Sequence, residues 1–185
     1  MGRVLIGLAV LWGMIGGAGG KSWAGDTARS RQTLRGVGGV YVLIEGLEPE
    51  VERAGLTTQQ LHTDVELQLR QAGIAVLTQE ERRRTPGAPY LYVNVNVMPL
   101  SGGSPVFQIT VELNQEASLK TDGSLATVAT WSVMGLGSSG KAGLAFIRSS
   151  VRDRIDQFVN AYLSVHPRPA DATPSATPPR RDRRR

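Results

Sequence analysis

Two stretches of the chain alternate strictly between apolar and polar residues. Leu91, Val93, Val95 and Val97 share one parity, against Tyr90, Tyr92, Asn94 and Asn96. Phe107, Ile109, Val111 and Leu113 oppose Gln108, Thr110, Glu112 and Asn114 in the same way. Such a period of two predicts strands with one buried and one wet face. Residues 126–134 predict a return strand, with Asp122-Gly123 as the hairpin signal before it. Trp131 falls at the opposite parity to Val128 and Met134, so alternation does not decide whether it is core or exposed. The β-rich runs 37–45 and 74–78 predict two further short strands, and 80–89 reads as a loop.

Two segments carry the helical period instead. Leu61, Val65, Leu69 and Ala72 line one face of a helix predicted over 58–72. Thr57 and Gln60 form a capping box, and Leu56 can staple to Leu61. Gly73 and Ile74 supply the signature of a Schellman ending. Leu144, Ile147, Val151, Ile155, Phe158 and Tyr162 predict a second amphipathic helix over 143–163, with Pro167 preventing its continuation. The element order is β-α-β-β-β-β-α. The expected fold class is α+β: a two-layer sandwich, its sheet of about five strands mostly antiparallel, with two helices on one face.

Neither end has this patterning. Arg3, the apolar run from Val4 to Ile15, a glycine-rich stretch and Ser22-Trp23-Ala24 match a cleavable export signal over residues 1–24. Residues 25–35 read as a linker and 36–166 as a single α+β domain. Residues 167–185 are rich in proline and end in Arg180, Arg181, Arg183, Arg184 and Arg185. This composition predicts a disordered tail in weak contact with an anionic membrane or polymer. The expected location is a bacterial periplasm.

Charge is divided just as unevenly. The chain carries +5 at neutral pH, but residues 25–167 hold 13 Lys/Arg and 14 Asp/Glu. The excess of positive charge belongs to the ends, which argues against a nucleic-acid-binding domain. The 185 residues include no cysteine and only two histidines, His62 and His166. That count excludes disulfides, thiolate nucleophiles and His-rich or Cys-ligated metal sites. No cofactor or metal is expected.

Gly135, Gly137, Gly140 and Lys141 approximate a phosphate-binding turn between a strand and a helix. Ala142 stands where a magnesium-binding Ser or Thr belongs, and no strand follows to complete a βαβ unit. The simpler reading is a glycine-rich connection. Glu80, Glu81 and the Arg82-Arg83-Arg84 run form a charged loop, and His62 with Glu66 a surface pair at helical spacing. The stronger candidate is the wet sheet face, with Tyr90, Tyr92, Asn94, Asn96, Gln108, Thr110 and Glu112 as the binding residues. Tyr and Asn offer contact area and hydrogen bonds without net charge.

The order of elements over residues 36–165 resembles the small exported bacterial α+β domains at the N-terminus of TolB-like and CsgG-like envelope proteins. The resemblance implies a scaffold or accessory role in envelope assembly or transport, and transfers no functional residue. The expected function is therefore a non-enzymatic envelope module that binds a protein partner through its polar sheet face. The alternative is a ligand-binding or hydrolytic protein using the loop carboxylates and the Gly135–Lys141 turn.

Overall fold

The computed structural model describes residues 25–98, 104–139 and 143–167. The export signal over 1–24, the residues Gly140, Lys141 and Ala142, and the arginine-rich 168–185 lie outside the described residues.

The fold is α+β. Four strands form one mixed sheet in the order β1-β2-β3-β4: β1 (Tyr41–Ile44), β2 (Tyr90–Met98), β3 (Val106–Ser118) and β4 (Leu125–Ser138). β1 runs parallel to β2, and the other two pairings are antiparallel. The described helices are α1 (Ala28–Gln32), α2 (Pro49–Arg53), α3 (Thr58–Gln71), α4 (Gln79–Arg84) and α5 (Gly143–Val165). The long helices α3 and α5 pack on each other and on the same side of the sheet.

Both long helices follow from their sequence. Thr57 and Gln60 close the capping box of α3 in both directions. At its other end Ile74 N–H donates to the Leu69 carbonyl and Gly73 N–H to that of Arg70, completing the Schellman pattern. Gly73 has a φ of +79°, which glycine adopts without strain. Leu61, Val65 and Leu69 face Ile147, Val151, Ile155 and Phe158 of α5 in one core with Leu91, Val93, Ile109, Val111 and Leu113 of the sheet. A bidentate Arg148–Asp64 ion pair, at 2.6 and 2.9 Å, ties α5 to α3 from outside the core. The Arg148 guanidinium holds the Asp64 carboxyl below its usual range, against the opposing effect of partial burial.

Several expectations need correction. The sheet has four strands, not five: residues 74–78 contribute only an isolated bridge, Val40 to Val76. The sheet is mixed, because the long connection through α2, α3 and α4 returns β2 alongside β1 in the same direction. The described residues form five helices, not two. Residues 25–35 are no linker: Thr27 caps α1, and Leu34 is fully buried in the core. The expected 80–89 loop begins with α4, capped reciprocally by Thr78 and Glu81.

Trp131 is buried completely and packs edge-on against Phe158, with ring centroids 5.3 Å apart. Its parity is explained by a bulge. Leu113 pairs with Trp131 but Asn114 with Ala129, leaving Thr130 as the extra residue. Val128 and Trp131 can therefore share the helix side of the sheet despite an odd spacing.

Gly135 and Gly137 lie inside β4 and not in a strand-to-helix turn. They stand opposite Ile109 and Phe107 on the core side. A Cβ on Gly135 would lie 2.6 Å from Nε of Arg154, and one on Gly137 would lie 3.0 Å from Cζ of Phe107. These glycines give room to a guanidinium and a ring.

Candidate functional site

The side of the sheet away from α3 and α5 presents its residues in cross-strand rows. Tyr41 pairs with Tyr90, and Tyr90 with Asn114. The next row is Leu43, Tyr92, Glu112 and Ser132. Beyond it stand Asn94, Thr110 and Met134, then Asn96, Gln108 and Leu136. All seven residues expected to bind lie on this one face, because strand alternation leaves them no other. Asn114 departs from the expectation of an exposed face: it is buried beside the bulge.

Hydrogen bonds organise the polar part. The Tyr92 hydroxyl donates to the Glu45 carboxylate. Asn94 donates weakly to Tyr92 Oη at 3.5 Å, and Asn96 donates to Asn94 Oδ1 at 2.6 Å. The bond to Glu45 pushes the Tyr92 hydroxyl pKa up, with burial and the negative charges of Glu45 and Glu112 adding to the rise. Tyr92 is therefore a neutral donor at physiological pH, not a phenolate nucleophile. Arg82 lies 4.5 Å above the Tyr90 ring and donates through Nε to the Ala88 carbonyl.

The face is less polar than its sequence suggests. Leu43 and Met98 are 40% and 56% exposed, and Met134 and Leu136 are 65% and 73% exposed. Sequence reasoning missed all four, together with Tyr41 and Glu45. Near Met134 a depression of about 450 Å³ crosses the edge of the sheet, lined by Thr110, Glu112, Ser132 and Met134 of the face and by Gly25 and Asp26.

The loop carboxylates of the alternative reading are engaged in local contacts, and so is the His62–Glu66 pair. Glu81 caps α4, which holds its carboxyl pKa down through the Thr78 backbone and hydroxyl. Glu80 pairs with Arg84 at 2.7 Å. His62 lies 3.7 Å from Glu66, which also binds Arg70. Among the described residues no group of three His, Asp or Glu side chains is placed to hold a metal. No described helix is long and apolar enough to cross a membrane.

In comparison with known proteins, the chain matches no family model and no curated protein.

Proposed function

We propose that the chain is a non-enzymatic binding module that takes a protein partner on the open face of its sheet. One observation carries this reading. Both long helices pack on one side of the sheet, while the other side keeps Leu43, Met98, Met134 and Leu136 in solvent among Tyr, Asn, Gln and Thr. Met134 and Leu136, successive outward positions of β4, form exposed apolar surface rimmed by polar groups, the kind that marks an interaction site. Tyr and Asn beside it provide contact area and adaptable hydrogen bonds at low entropic cost.

The export-signal pattern of residues 1–24 supports an envelope location for this module. A scaffold or accessory role in assembly or transport, implied by the likeness to TolB-like and CsgG-like domains, suits a face that binds without chemistry. The test is capture from envelope extract by the parent and by a Tyr92→Ala/Asn94→Ala variant. The variant is expected to keep the parental melting temperature and to lose a defined partner. Equal capture by both proteins would show that the face is only a solvated surface.

A further inference from the structure

The open face has an uneven chemistry that points to an occupant. No Lys or Arg stands at any outward position of the four strands, while Glu112 and Glu116 do, with Glu45 just beyond β1. Three of the chain's four tyrosines, Tyr41, Tyr90 and Tyr92, cluster at one end of the same face. Residues 167–185 have the complementary composition. They contain prolines 167, 169, 174, 178 and 179 and end in Arg180, Arg181, Arg183, Arg184 and Arg185.

We propose that the proline- and arginine-rich C-terminal segment of the chain docks on its own open sheet face. Its prolines lie against Tyr41, Tyr90 and Tyr92, and its terminal arginines against Glu45, Glu112 and Glu116. The proposal rests on the reading of this face as the binding surface, and it names an internal competitor for the partner.

Three arguments support this occupant. Proline-rich segments favour the extended polyproline II form and dock on aromatic-lined surfaces at low entropic cost. The charges are complementary, since the face offers Glu45, Glu112 and Glu116 and the segment ends in five arginines. The segment also starts in the right place. The Tyr162 hydroxyl donates to the Val37 carbonyl at 2.7 Å, so the end of α5 lies close to the approach to Tyr41. The thirteen residues 167–179 reach about 40 Å in polyproline II form. A four-stranded sheet is only about 15 Å across, so the arginines can pass the tyrosines and reach the carboxylates.

The chain has no cysteine, so a Ser175→Cys substitution accepts a single nitroxide label in the full chain. Paramagnetic broadening of backbone amide signals then reports where residue 175 spends its time. The expected result is loss of signal at Tyr92, Asn94, Thr110 and Glu112, with none at Gln71 of α3 or Asp153 of α5. High salt is expected to restore the signals, and so is a Glu45→Gln/Glu112→Gln/Glu116→Gln variant. A mixture of labelled chains with isotope-enriched unlabelled chains is expected to show no broadening.

Broadening absent, equal on both sides of the molecule, or indifferent to salt and to the triple substitution would overturn the proposal. Broadening only in the mixture would overturn it too, since the segment would then reach a second copy. The salt series on the parent chain needs no face substitution to fold. No partner is present in these samples, so failure here leaves the partner-binding reading standing on its own test.

Discussion

The indole nitrogen of Trp131 donates a 3.0 Å hydrogen bond to the carboxylate of Asp26, joining the edge strand of the sheet to the start of the described chain. Arg31 closes the same carboxylate with two bonds of 2.6 Å. The segment before the first strand is thereby pinned beside the bulge at Thr130. Its hold is reinforced by Leu34 in the core and by Gln115, whose amide donates to the Thr33 carbonyl at 3.1 Å and to the Thr130 hydroxyl at 2.7 Å.

Removing this carboxylate is expected to matter more than an ordinary surface change. Asp26→Ala leaves the indole N–H of a fully buried Trp131 without its acceptor. A loss of about 1.5–3 kcal/mol is expected, in line with hydrogen bonds to charged groups. Urea unfolding checks it: the midpoint should fall with an unchanged denaturant slope.

Acid should expose the same contact. Arg31 holds the Asp26 carboxyl below the ordinary value of 3.8, and the Trp131 indole adds to the effect. Arg148 does the same for Asp64. Groups depressed in the folded state stabilise fully above their unfolded pKa and lose that contribution as pH falls through the folded value. Stability should therefore fall as pH drops below about 4, and Asp26→Asn/Asp64→Asn should flatten that decline. The Asp64 pair, with Arg148 44% exposed, is expected to contribute about 0.5–1 kcal/mol. Thermal unfolding across an acid series measures both effects.

Gly137 is expected to be intolerant of a branched side chain for a packing reason. Phe107 is 3% exposed and lies over the glycine, so Gly137→Val must displace a sealed ring. A loss of about 1–3 kcal/mol is expected from such overpacking. Gly135→Ala meets the Arg154 guanidinium instead, a flexible group with a buried Nε that has no hydrogen-bond partner. Its cost should be smaller and should vanish in an Arg154→Ala background. A double-mutant cycle by urea unfolding tests that coupling.

These glycines also show where the sequence stops being legible. Alternation is read from side chains. β4 gives up its core-facing side chains at Gly135 and Gly137 to admit Arg154 and Phe107, so its end looks like a loop. With the strand cut short, Leu136 was lost to the candidate face. The bulge at Thr130 hid the burial of Trp131 in a similar way, since one extra residue reverses parity.

Elements with complete local signals were legible. The Thr57–Gln60 box, the Gly73 ending and the alternation of β2 and β3 gave α3, two strands and the seven polar residues of the face. Helix α4 has an equally good box at Thr78–Glu81, but Gln-Glu-Glu-Arg-Arg-Arg shows no apolar period to follow it. The parallel pairing of β1 with β2 is a long-range choice that no local pattern records. Leu43 stayed hidden because its neighbours Val42 and Ile44 are apolar as well, so the outward position of Tyr41, Leu43 and Glu45 left no alternation to read.

The most direct measurement of the central claim is site-specific photocrosslinking. A photoreactive residue at Thr110, in the middle of the open face, is compared with one at Asp153 on α5, using the chain in envelope extract. A discrete adduct of one partner from position 110, and none from position 153, is the expected result. Adducts from position 153 alone, or from neither position, would contradict the assignment of the open sheet face as the binding surface.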